Sequence, residues 1–461
     1  MSILAAFVVP HPPLLVPEVG RGEEKEIHAT TAAYEEVARQ IAVLHPETVV
    51  LLSPHAPAYG DYFQFTNGSA ASGSFEAFGA PKVKLEAALD EELIQKLSEL
   101  CQAQDLPGGT LGGRQKALDH GTLVPLYFIQ PKNPHLRLVR IALSGLPLEE
   151  HYRLGMLIAK ATKATGRSVV VVASGDLSHK LTAQGPYGFA EEGPIFDRQV
   201  TQALAQGDFY ALLKLDRNFT AAAAECGLRS ILILAGALDR QNVEAKLLSY
   251  EGPFGVGYAV ASFYPGEANP QRAFLQQKLS EETQRLDSLR MAEDPFIALA
   301  RYALETKVRK GETPALPPLL PPSLTQVRAG VFVSLKLFGE LRGCIGTISP
   351  VTASLGEEIL RNAVLSGTED PRFSPVTPRE LPLLVYSVDV LGPPEPISGL
   401  AELDPLRYGV IVRHRGRSGL LLPDLPGVTT AKEQVAIALR KAGIDPQSSY
   451  GLERFEVVRH T

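Results

Sequence analysis

The sequence predicts an α/β domain, a mixed sheet flanked by helices, followed by a smaller α+β domain. Three observations carry that expectation. Over residues 1–265, short β-branched and aliphatic runs ending near Pro, Ser or Gly alternate with charged segments of helical spacing. Pro265–Pro270 then breaks the pattern, and a charged stretch, Gln271–Met291, follows. Beyond it, strands and helices continue without βαβ regularity, in a chain of 461 residues that is too long for one ordinary domain. The expected organisation is 1–265, a helical linker at 266–290, and 291–461.

The elements follow in order. Ile3–Val9 is apolar, lacks a basic flank and is interrupted by Pro10, His11, Pro12 and Pro13, so it reads as a buried first strand and not a signal peptide. Thr48–Leu52, Arg137–Leu143, Ser168–Ala173 and Gly257–Phe263 read as further buried strands. Between them, Glu23–Leu44, Leu85–Ala103 and Leu148–Thr165 show helical spacing, and Ile195–Leu215 holds two helices. The second domain reads as a helix (Pro295–Val308), a Pro-rich stretch (Thr313–Ser323), a strand pair within Gly330–Ile348 and a helix (Ser354–Leu365). A strand (Leu383–Val390), strands around Gly409–Leu422 and a last helix (Thr430–Ala442) complete it.

Composition excludes several function classes. With 45% hydrophobic and 21% charged residues, long disorder is not expected. A net charge of −6 argues against coating nucleic acid. No apolar run reaches the roughly 18–20 residues that a membrane helix needs. Three cysteines without a CxxC pair exclude a disulfide framework, a zinc ribbon and a four-cysteine iron–sulfur cluster within the chain. Their scarcity fits a reducing cytoplasm. A homo-oligomer is compatible with the sequence.

Chemistry concentrates in the histidines. Of ten, His11, His55 and His179 follow predicted strands, and His120 lies in a turn-rich context. Imidazole is the commonest metal ligand, and strand-end loops hold ligands rigidly. Two histidines and a carboxylate make the facial triad of non-haem Fe(II) oxygenases. His28, His45, His135 and His151 read as solvated side chains. Asp176 reads as a cap or turn residue, and Asp119 either orients His120 or caps a turn. In the second domain, Cys344 lies two residues after Arg342, where a cation can lower a thiol pKa and make a nucleophile. The alternative is a small buried residue in a strand.

The HPPLL (11–15), LLSPHAP (51–57), DHG (119–121) and SGDLSH (174–179) segments, followed by ECG (225–227), resemble the LigB-type catalytic subunit of class III extradiol ring-cleavage dioxygenases. They equally resemble the Memo proteins, which share that fold. The resemblance implies His11 and His55 as metal ligands, the acidic ligand at or near Glu225, and His179 as an acid/base histidine. It implies His120 as a pocket histidine and Cys226 as the counterpart of a Memo metal-site cysteine. Adjacent residues point different ways, so one of Glu225 and Cys226 is expected to reach the metal. Oxygen and nitrogen ligation favours Fe(II); a cysteine softens the site toward copper or zinc.

LRGCIGT (341–347), with Asn362-Ala363-Val364, Glu369-Asp370-Pro371-Arg372-Phe373, Ser387–Leu391 and Gly419–Pro423, resembles the AMMECR family, although the tryptophan common in that family is missing. Arg342, Cys344, Asp370 and Arg372 are its candidate pocket residues. The two resemblances together imply the fusion found in the AmmeMemoRadiSam system, with a radical S-adenosylmethionine protein as a separate chain. The expectation is an iron-dependent dioxygenase-like enzyme acting on a small-molecule or peptide substrate. The alternatives are a non-catalytic metal-binding scaffold and a hydrolase using Cys344.

Overall fold

The computed structural model describes residues 3–112, 117–425 and 427–461. The chain divides into two units, residues 1–280 and 281–461. The first is built on a six-stranded sheet of Ile3–Val9 (β1), Thr48–Ser53 (β2), Arg137–Ala142 (β3), Val169–Ser174 (β4), Gln241–Glu251 (β5) and Tyr258–Ala268 (β6). Their order is β3-β2-β4-β1-β6-β5. The first four run parallel, while β6 is antiparallel to β1 and β5 to β6. All residues of β2 and β4 are buried, as a continuous aliphatic run demands when helices cover both faces. Helix Leu228–Ala237 is buried at every residue except Arg229 and packs against Leu148–Thr165.

Two sequence readings need correction. Leu85–Ala103 is not one helix. Ala80–Ala88 is a strand paired with Ala70–Phe75, and the helix is Glu91–Ala103. The side chains of Lys82, Lys84 and Glu86 are exposed while Val83, Leu85 and Ala87 are covered, a period of two that outweighs the helical spacing. Asp90 sets the boundary by accepting the Leu93 amide at the helix start. His120, read in a loop, is the first residue of helix His120–Ile129. Pro125 masks that helix in the sequence; its cap is Asp119, which accepts the Thr122 amide at 3.1 Å.

The second unit holds two four-stranded antiparallel sheets. Its strands are Val331–Leu337 (β7), Glu340–Gly346 (β8), Leu384–Leu391 (β9), Glu395–Ile397 (β10), Gly409–His414 (β11), Arg417–Leu421 (β12), Gly451–Phe455 (β13) and Val457–His460 (β14). The orders are β8-β7-β9-β14 and β10-β13-β11-β12. Helices Pro295–Lys310 and Leu355–Thr368 cover the first sheet, and Ala431–Ala442 covers the second. Asp294, Ser354 and Thr430 cap these three helices. Among the described residues, no helix is long and apolar enough to cross a membrane.

Candidate metal centre

Strands β2, β4 and β1 lie side by side and parallel, so their carboxyl ends open on one rim, where ligands bind in such sheets. His11 leaves β1, His55 leaves β2, and Asp176 and His179 leave β4. Two close approaches add the remaining side chains. A Cβ on Gly121 would come within 2.5 Å of Ser53 Oγ, so glycine lets the start of the His120 helix sit against the β2 loop. A Cβ on Gly175 would come within 2.2 Å of Gly227 Cα. That backbone crossing carries Cys226 onto Asp176, whose amide donates to Cys226 Sγ at 3.3 Å.

These atoms converge. His11 Nε2 lies 2.9 Å from His55 Nε2, 3.7 Å from Cys226 Sγ and 3.8 Å from Asp176 Oδ2. The donor atoms of His11, His55 and Cys226 all lie within 4.8 Å of one another, and so do those of Asp176, His179 and Cys226. The His120 ring stacks obliquely 4.0 Å from that of His55. His11 is fixed from behind. Its Nδ1 is 3.0 Å from Ser174 Oγ, and its amide donates to Asp176 Oδ1 at 2.8 Å. Tyr34 donates its hydroxyl proton to the Pro10 carbonyl.

Burial, then the neighbouring imidazoles, holds His11 well below the ordinary histidine range. His120 is pushed down to about 4 by burial and by His55, and burial also lowers His55 and His179. The rings therefore stay neutral with lone pairs available to a cation. Burial pushes Asp176 up to about 7, opposed by the His11 amide. Burial and the Asp176 charge push the Cys226 thiol well up. His179 Nε2 is buried without a hydrogen-bond partner. Two sets of three such donors that share the Cys226 thiol, with a buried ring nitrogen unsatisfied, fit a transition metal.

Glu225 is not among the converging groups. Its Oε2 accepts the Leu228 amide at 2.6 Å, at the start of the next helix. The carboxylate at the cluster is Asp176, taken from sequence as a cap or turn residue. Its signal was present in SGDLSH, an aspartate three residues before a strand-end histidine. Asp119 accepts from Ser53, from the amide and hydroxyl of Thr122, and from Arg140, so it caps the helix and neutralises a buried guanidinium. His151, expected in solvent, is fully buried, with Nδ1 3.0 Å from the Pro147 carbonyl. The apolar face of its own helix carries it inward.

In the second unit, Cys344 lies on β8 opposite Ser334 of β7, whose hydroxyl donates to Sγ at 3.2 Å. Its amide donates to Asp370 Oδ2 at 2.9 Å. Arg372 pairs with Asp370 at 2.7 Å and donates to the Cys344 carbonyl at 3.1 Å. Arg342 turns instead to Glu380 at 2.7 Å. The guanidinium beside the cysteine is thus that of Arg372, and Arg342 is held apart. Burial raises the Cys344 thiol against the pull of Ser334 and Arg372.

Compared with known proteins, residues 5–261 match the family model of the catalytic LigB subunit of aromatic ring-opening dioxygenase. The chain belongs to the LigB family. Residues 297–460 match the AMMECR1 model, so a LigB-type domain is fused here to an AMMECR1 domain. A protein from Clostridium acetobutylicum is 41% identical over 100% of this chain and 99% of its own. A protein from Thermotoga maritima is 47% identical over 37% of this chain and 99% of its own. A solved structure of an uncharacterized protein from Pyrococcus horikoshii is 34% identical, covers 36% of this chain and 88% of its own, and has a TM-score of 0.34. LigB-family dioxygenases depend on a metal, consistent with the donor set on the rim.

Proposed function

We propose that the LigB-type domain, residues 1–265, is an Fe(II)-dependent oxidoreductase of the extradiol-dioxygenase superfamily. Residues 266–290 connect it to the AMMECR1 domain, residues 291–461, which presents or modifies the substrate. The meeting of His11 and His55 with Cys226, and of Asp176 and His179 with the same Cys226, beside the ends of three adjacent parallel strands supports this reading. His11 and His55 hold the metal, and Asp176 and Cys226 offer the anionic donors. When bound, the iron supplies chelation of a catechol-like diol and a place for O2.

The chain's own residues do the rest. Ser174 and the Asp176 carboxylate hold His11 in one orientation. His179, with Nε2 free of hydrogen bonds, takes a proton from the substrate hydroxyl. His120 walls the pocket beside His55 and orients the substrate. Small molecules or peptides carrying such a diol are the substrate class. The protein works in the cytoplasm with a radical S-adenosylmethionine protein as a separate chain, since no CxxC pair is present here to hold that enzyme's cluster.

One observation favours a second reading. Glu225 is diverted to the Leu228 amide, and a thiol stands at the cluster. That softer donor suits copper or zinc in a non-catalytic scaffold that docks the radical enzyme.

Metal analysis of the purified protein, followed by O2 uptake with a panel of catechols, separates the two. Stoichiometric iron with uptake, lost in His179→Ala without loss of metal, supports the enzyme. Stoichiometric copper or zinc without uptake supports the scaffold, and a protein that binds no metal refutes both.

A further inference from the structure

Glu225 and Cys226 are neighbours in the chain but serve different spaces. Cys226 faces the histidines, whereas Glu225 lines a separate cavity of about 420 Å³ together with Gly145, Leu148, Arg217, Asn218 and Arg229. That size lies within the roughly 300–1,000 Å³ of small-molecule sites. The charges in it do not balance. Arg229 Nε is buried with no hydrogen-bond partner. Among the described residues, neither Arg229 nor Arg217 forms an ion pair within 4.0 Å. The single carboxylate present, Glu225, is engaged by the Leu228 amide.

A guanidinium stays charged at any physiological pH. A guanidinium donor that no protein acceptor engages offers an incoming oxygen a charge-assisted hydrogen bond. Two guanidinium groups facing the one lining carboxylate leave the concavity electropositive. Its planar forks match carboxylate and phosphate oxygens.

We propose that this cavity is an anion subsite that binds the carboxylate or phosphate group of a small molecule, with the half-buried Arg229 as the inner anchor and Arg217 as the outer clamp. The assignment rests on the cavity alone and stands or falls independently of the metal reading.

Calorimetric titration of the full-length protein with inorganic phosphate and, separately, with glutarate tests it. Saturable one-to-one binding of either probe is expected, and which probe binds distinguishes a phosphate from a carboxylate ligand. Arg229→Gln should weaken binding by roughly tenfold or more, as loss of a charged hydrogen bond does, and Arg217→Gln by less. His55→Ala should leave the affinity within about twofold, which separates the cavity from the histidine cluster. Arg217 is exposed, so its variant reads the site even if Arg229→Gln misfolds. No saturable binding of either probe at millimolar concentration, or affinities indifferent to the arginine substitutions, overturns the proposal.

Discussion

Cys226 and Cys344 are both partly covered thiols next to an aspartate, yet their surroundings differ in kind. Around the Cys226 thiol the side-chain groups are imidazole nitrogens and the Asp176 carboxyl, with one backbone amide, that of Asp176, donating to Sγ; among the described residues no guanidinium forms a hydrogen bond with it. Around Cys344 stand the Ser334 hydroxyl and the Arg372 guanidinium, both proton donors. Donors of lone pairs gathered at one point need a cation to reconcile them; a thiol beside a guanidinium does not. The difference teaches that a cysteine's role is set by what its neighbours offer, and that one chain can carry both solutions.

The largest expected effect tests the metal side of this contrast. His11→Ala should abolish stoichiometric binding of Fe(II) or Co(II) in equilibrium dialysis, because it removes the buried nitrogen closest to both His55 and Cys226. Cys344→Ser should leave the stoichiometry intact. Metal lost from the Cys344 variant would erase the distinction.

A buried histidine outside the cluster sharpens it next. Burial pushes His151 down to about 4 from an ordinary 6.5. Because its folded pKa lies below the unfolded one, protons in that interval favour the unfolded chain. Its contribution is complete above about pH 6.5 and is lost as the pH falls toward 4. Asp176 and Asp197, raised to about 7 and about 6, act in the opposite sense, but they are common to both proteins compared. In denaturant melts of the metal-free protein, His151→Gln should therefore lose less stability than the parent over this window, by up to about 3 kcal/mol. Parallel pH profiles would show that His151 is not the buried neutral group described.

Thiol reactivity should fall as burial deepens, read by mass-spectrometric alkylation at mildly alkaline pH. Cys344 reacts first and Cys226 second. Cys101, fully buried and pushed up to about 12, reacts last. Metal loading should protect Cys226 and leave Cys344 unchanged; equal protection of both would contradict the contrast.

The smallest effect lies in the Asp370–Arg372 pair. Arg372 is 54% exposed while Asp370 is 2% exposed and also holds the Cys344 amide. Arg372→Ala should cost less than about 1 kcal/mol in a denaturant melt. Asp370→Ala should cost about 1–3 kcal/mol by orphaning a buried amide. The reverse order would mean that the guanidinium, not the carboxylate, organises the Cys344 pocket.

Much of this architecture was legible in the amino-acid order. The valine run before Ser174 can only be a strand covered on both faces, and the alternation of such runs with charged helical segments yields the mixed sheet. Histidines directly after β1, β2 and β4 were visible because strand ends are local features. Misreadings came where local signals compete. Pro125 hid a helix, Lys82–Glu86 carried two periods at once, and the polar neighbours of His151 suggested water although its helix turns it inward.

What the sequence determined by itself was therefore local: which segments are strands, which side chains stand at their ends, and which motifs they carry. The three-dimensional fold decided the partnerships. A crossing of Gly175 over Gly227 puts Cys226 at the histidines, the Leu228 amide claims Glu225, and Glu380 claims Arg342. Those choices depend on contacts between residues up to 215 positions apart, as for Cys226 and His11, and on which buried donor lies nearest each acceptor. No local pattern encodes that distance, so only the packed structure settles it.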